Sequence, residues 1–132
     1  KMSAPDNKPV PLQLGGPQAA AATQVFQLLF RRMIERADPL KARDIIAFVE
    51  ASLPHMGIDK ELQRPLQRWI TQSKPVLDIN LPQPLMAALV NRTYIGLCEY
   101  CGPVKADQYL HAAVTEVAKT RAAAIFHPEE LL

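Results

Sequence analysis

Two thiols three residues apart, in Cys98-Glu99-Tyr100-Cys101, come closer to chemistry than any other residues of the chain. On a helix, side chains at that spacing are neighbours, so the pair has the reach to share a metal ion or to oxidise together. Each use makes a further demand. A structural zinc site takes about four ligands, usually as two such pairs, and Cys98 and Cys101 are the only cysteines. Glu99, between the thiols, and His111, in the next segment, complete a set only if the chain turns them inward. A thiol–disulfide centre sits at a helix N-terminus, where the dipole favours thiolate. Here Gly102-Pro103 follows the pair and predicts a helix C-terminus, the wrong end. The first reading is therefore two small apolar side chains in a core. The second is a metal- or redox-sensing helical domain using Cys98 and Cys101.

No other constellation reaches even that level. Ser3, Ser52 and Ser73 lack the context of an activated nucleophile, and His55, His111 and His127 have no motif tying them to a serine or cysteine. Gly15-Gly16-Pro17 before a helix offers free N–H groups but no lysine–serine pair to hold a phosphate. The carboxylates of Glu129-Glu130 fall on a tail. No catalytic, cofactor-binding or metal residue is assigned, and an enzyme is not expected. Arg31, Arg32 and Arg36 crowd the last turns of a predicted helix, where cations suit the negative end of its dipole. Glu35 sits among them and no aromatic residues interleave. A nucleic-acid-binding regulator using these arginines, or Arg64 and Arg68, accordingly ranks behind the structural reading.

Composition narrows the class. A chain of 132 residues is one domain's worth and long enough to bury a core without staples. Its 48% hydrophobic and 21% charged residues match ordinary globular usage. The net charge of +2, from 15 basic and 13 acidic residues, creates no field to concentrate nucleic acid or anionic lipid. No apolar run approaches the roughly 18 residues of a spanning helix, and the N-terminus has no leader-like apolar core. Neither a membrane nor a nucleic acid is an expected partner. Two cysteines are too few for a secreted disulfide framework, which makes a reducing cytoplasm the expected location. Lys1 ahead of Met2 reads as an addition before a natural start.

What must position these residues is a set of proline-punctuated helices. The 12 prolines stand mostly beside the ends of apolar-periodic segments, and only 6% of residues are aromatic, a poor stock for a sheet. The fold class is all-α: a single compact bundle of about five helices over residues 17–132, with a flexible or disordered proline-rich arm over residues 1–16. The arm's Val10, Leu12 and Leu14 alternate, so it could also lie extended along a partner. The first helix spans Pro17 to Arg36 with a stripe of Ala22, Val25, Phe26, Leu29 and Met33, widened by Leu28, Phe30 and Ile34. Asp38-Pro39 caps and starts a second, which ends by Pro54 and Gly57. A third, from Asp59 to Gln72, is expected to kink or break at Pro65. Ser73 to Pro84 must lie against the core through Val76, Leu77, Ile79 and Leu81, or form a short strand. The fourth opens near Pro84, the fifth runs from Pro103 to about Ala124, and the tail from His127 folds back as a short helix or binds a neighbour.

A first-helix face this wide either sits at the centre of the fold or meets a second copy of the chain. The expected function is a non-catalytic protein–protein interaction or adaptor module, self-associating as a homodimer or binding another protein. Affinity would rest on a few anchors: Phe26, Phe30 or Trp69. Trp69, the sole tryptophan, reads first as a core anchor and second as an interface anchor. No cofactor is expected.

Overall fold

Apolar side chains around most of a helix demand neighbours on several sides, and the first helix is placed to meet them. The computed structural model describes residues 16–72, 77 and 79–132. The expected arm, with Val10, Leu12 and Leu14, lies outside the described residues, as does Val76 of the long connection. Helix α1, Gly16–Glu35, packs against α4 (Gln83–Cys101), α5 (Pro103–Val117) and α6 (Arg121–Ile125). Ala22, Val25, Phe26, Leu29 and Met33 are all 0% exposed, and Phe30 and Ile34 beside them are buried. The wide face is thus covered by the chain's own helices. Central placement is the alternative observed, and the stripe offered for self-association is already occupied from within.

Helix α2, Pro39–Ser52, begins where Asp38 and Pro39 predict. The Asp38 carboxylate accepts the N–H groups of Leu40 at 3.0 Å and Lys41 at 3.1 Å, satisfying two donors that the first turn leaves without partners. Asp38→Ala is expected to lower stability by about 1 kcal/mol, read as a fall in the urea midpoint with an unchanged slope. On the inner face of α2, Ile45 and Val49 are fully buried, while Ala42, Ile46 and Phe48 are half-buried. Gly96 of α4 lets the two helices approach closely: a Cβ there would lie 3.1 Å from the Phe48 ring and 3.3 Å from Ile45. The chain then leaves α2 through a 3₁₀ turn, Leu53–His55.

Two boundaries differ from expectation. Helix α3, Lys60–Gln72, continues through Pro65 without the expected break. Pro65 lies in the second turn, so the bond it cannot make would have gone to the carbonyl of Glu61, an exposed residue within reach of solvent. Leu66, Trp69 and Ile70, buried on the inner side, hold the helix to the core regardless. The fifth helix stops at Val117 rather than near Ala124. There the N–H of Thr120 donates to the carbonyl of Val117 at 3.0 Å and its hydroxyl donates to the same carbonyl at 2.7 Å. Thr120 itself turns to extended backbone. A β-branched hydroxyl residue bonding back on the preceding turn competes with helix continuation. The separate α6 that results presents buried Ala122 and Ala123 to α1.

The connection into α4 lies on the core as its apolar content requires, with Leu77 and Leu81 each 6% exposed. Gln27 Oε1 of α1 accepts the Leu77 N–H at 2.7 Å, and Thr23 donates to Asn80 Oδ1 at 3.2 Å. No strand forms among the described residues. The tail closes the bundle as a 3₁₀ turn, Pro128–Leu131, against α1, α4 and α5. Splitting of the fifth segment gives six α-helices among the described residues, where about five were expected.

Candidate functional site

At the corner between α4 and α5, Gly102 takes φ +91°, a backbone region that favours glycine, and Pro103 starts the next helix. Cys98 and Cys101 lie just before it, both free, both half-buried and packed on the core. Glu99 and His111 are exposed. Among the described residues, no group of three or more histidine, cysteine or acidic side chains is placed to hold a metal ion. The corner instead joins two residues that sequence spacing did not connect. The Tyr94 hydroxyl of α4 donates to Asp107 Oδ1 of α5, and Cys98 lies one turn along α4 from Tyr94.

Asp107, followed by Cys98, holds the Tyr94 phenol in its protonated form and raises its pKa well above the ordinary tyrosine value. The folded state therefore keeps this proton to higher pH than the unfolded chain does. The stability it contributes is complete below the ordinary phenol range, near pH 10, and is lost as pH rises beyond it. Tyrosinate absorbance in an alkaline titration is expected to show one tyrosine ionising late. Asp107→Asn should return that step toward the ordinary range.

The arginines at the end of α1 are engaged in tying helices together. Arg32 pairs with Glu35 at 2.7 Å and, through Nε, with Glu116 of α5 at 3.5 Å, and Arg36 pairs with the same Glu116. Arg31 lies over the Trp69 ring, 5.9 Å from its centroid. Arg64 and Arg68 are exposed on α3.

Phe26, Phe30 and Trp69, the expected anchors, meet in one cluster. Ring centroids are 6.2 Å apart for Phe26 and Phe30, 5.6 Å for Phe26 and Trp69, and 5.1 Å for Phe30 and Trp69. Their exposures of 0%, 5% and 3% leave Phe26 wholly internal. Phe30 and Trp69 border a groove where α1, α2 and α3 meet, walled with them by Ile34, Ile46 and Ile70. Arg31 and Glu35 stand at its rim. Among the described residues the buried Trp69 indole N–H has no hydrogen-bond acceptor. At about 200 Å³ the groove is smaller than the ~300–1,000 Å³ of most small-molecule sites and suits one or two apolar side chains. Ile34, Ile46 and Ile70 were absent from the sequence-level anchors. Their periodicity marks each as core-facing on its own helix and carries no sign that the three edges converge.

Fold and site together define an all-α bundle with an aromatic groove at one helical junction and a hydroxyl–carboxylate latch at another. Among the described residues no helix is long and apolar enough to cross a membrane. Compared with known proteins, the chain matches no family model, no curated protein and no solved structure.

Proposed function

We propose that this protein is a non-catalytic protein–protein interaction or adaptor module that receives an apolar side chain of its partner in the groove between α1, α2 and α3. The groove is the observation that carries the reading: an apolar floor with two aromatic rings, rimmed by one positive and one negative side chain. Interfaces commonly place aromatic and aliphatic anchors in such desolvated pockets and leave charges at the rim. A second copy of the chain is a candidate partner through this groove, in place of the covered stripe of α1. A reducing cytoplasm is the compartment in which Cys98 and Cys101 stay free thiols.

Ile46→Glu is the test, because Ile46 is half-buried and its replacement puts a carboxylate into the groove without emptying the core. Binding of any protein captured by the wild-type chain should weaken at least tenfold, equivalent to about 1.4 kcal/mol, while far-ultraviolet circular dichroism stays unchanged. Sedimentation velocity of the same pair of proteins tests self-association. Equal capture and equal sedimentation by the wild-type and variant chains would refute the groove as the interaction surface.

A further inference from the structure

Cys98 and Cys101 take no part in the groove, yet they stand at the joint on which α4 and α5 fold together. They are the chain's only cysteines, both are free, and both are half-buried, so part of each remains open to a small molecule in solution. Their place at the negative end of α4 disfavours the thiolate and keeps them slow to react at rest.

The pair is close to disulfide geometry without having reached it. Helical positions three apart hold their Cβ atoms about 5–6 Å from each other, against about 3.8 Å in a disulfide. A 3₁₀ turn removes the difference, because side chains three apart eclipse there, and helix C-termini adopt such turns readily. Cys101 is the last residue of α4, and the final turn is closed by Gly102, whose N–H donates to the Cys98 carbonyl at 3.0 Å. In the tighter turn that carbonyl takes the Cys101 N–H and releases Gly102. Room for the change exists: a Cβ on Gly102 would meet nothing within 4 Å, and Pro103 has no N–H with which to hold the old turn. Because α5 starts at Pro103, rewinding this turn swings the helix that carries Asp107 relative to Tyr94.

We propose that Cys98 and Cys101 form a reversible disulfide that tightens the last turn of α4 and unfastens Tyr94 from Asp107. The oxidant is a small-molecule disulfide. One cysteine attacks it as thiolate, giving a mixed disulfide and releasing one small thiol; the second cysteine then attacks the protein sulfur of that bond and releases the other. Two protein thiols become one disulfide, two electrons pass to the small disulfide, and the two protons end on its released thiols. Strain left in the bridge makes it easy to reduce again, which suits a reversible device. Since bridging opens the Tyr94–Asp107 bond, weakening that bond must by linkage favour bridging.

The full chain, equilibrated with glutathione disulfide and glutathione at a series of ratios, tests this. Mass spectrometry is expected to show the loss of two hydrogens and no bound glutathione, whereas Cys98→Ser should carry one glutathione on Cys101. Hydrogen exchange at the Gly102 amide should quicken on oxidation. Asp107→Ala, a change at an exposed residue, should bridge at a disulfide-to-thiol ratio lower by roughly fivefold or more. Glutathione left on both cysteines, a disulfide-linked dimer, or a folded chain that does not react would overturn the disulfide. A bridge that leaves either the Gly102 exchange rate or the Asp107→Ala ratio unchanged overturns its coupling to the corner. None of these outcomes bears on the groove, which is tested by Ile46→Glu.

Discussion

Phe26→Ala is expected to lower folding stability by about 3–5 kcal/mol. The ring is 0% exposed on the central helix and touches both Phe30 and Trp69, so its removal takes away transfer energy and ring contacts together. The surroundings have little freedom to close the gap. Leu29 and Met33, one and two turns along the same stripe, are also fully buried, and Trp69 is held on the inner face of α3 with Leu66 and Ile70. A cavity that relaxes poorly puts the cost toward the upper end of the range. Since domains of this size are stable by only about 5–15 kcal/mol, the variant should lose a large share of its stability. Urea titration followed by circular dichroism gives the difference, and near-ultraviolet dichroism should report loosening of Trp69. Phe26→Leu retains most of the apolar volume and should cost less than half as much. A loss below 1 kcal/mol for Phe26→Ala would mean that the aromatic cluster is not a structural centre.

The same helix shows what periodicity can and cannot reveal. The stripe from Ala22 to Met33 is legible in sequence because each buried position recurs at helical spacing. What covers it is not, because a pattern on one helix is silent about its partner. The covering helices turned out to be the chain's own, and only the edge of the stripe at Phe30 and Ile34 borders the groove. Boundaries follow the same logic. Asp38-Pro39 is local chemistry, a carboxylate and a fixed φ, and α2 starts there. The end of α5 has no glycine or proline to mark it; it depends on Thr120 bonding back to Val117 while α6 finds room against α1. Pro65 does not break its helix, since an exposed bond lost in the second turn weighs less than three buried side chains below it. Tyr94 and Asp107 meet because Gly102 and Pro103 fold one helix back on the other. The corner was visible in the sequence, but the facing pair depends on the angle at which it closes.

Leu131→Ala is expected to cost about 2–5 kcal/mol even though it lies one residue from the end of the chain. Position alone argues for tolerance, because termini usually fray and carry little stability. Burial argues the other way: Leu131 is 0% exposed, and its 3₁₀ turn packs on α1, α4 and α5. The turn is also anchored. His127 Nδ1 accepts the Glu129 N–H at 3.2 Å, Gln83 of α4 donates to the Glu130 carbonyl at 3.3 Å, and Pro128 is buried beside Leu131. Leu132 supplies the internal control, since it is 61% exposed. Leu132→Ala should therefore stay within about 0.5 kcal/mol of wild type. If the tail closes the bundle, urea midpoints of the two variants will separate widely, with Leu131→Ala far below wild type and Leu132→Ala beside it. If instead the tail is a loose end, the two alanines will be indistinguishable. The contrast is sharper than either variant alone, because it changes burial while holding residue type and distance from the terminus nearly constant.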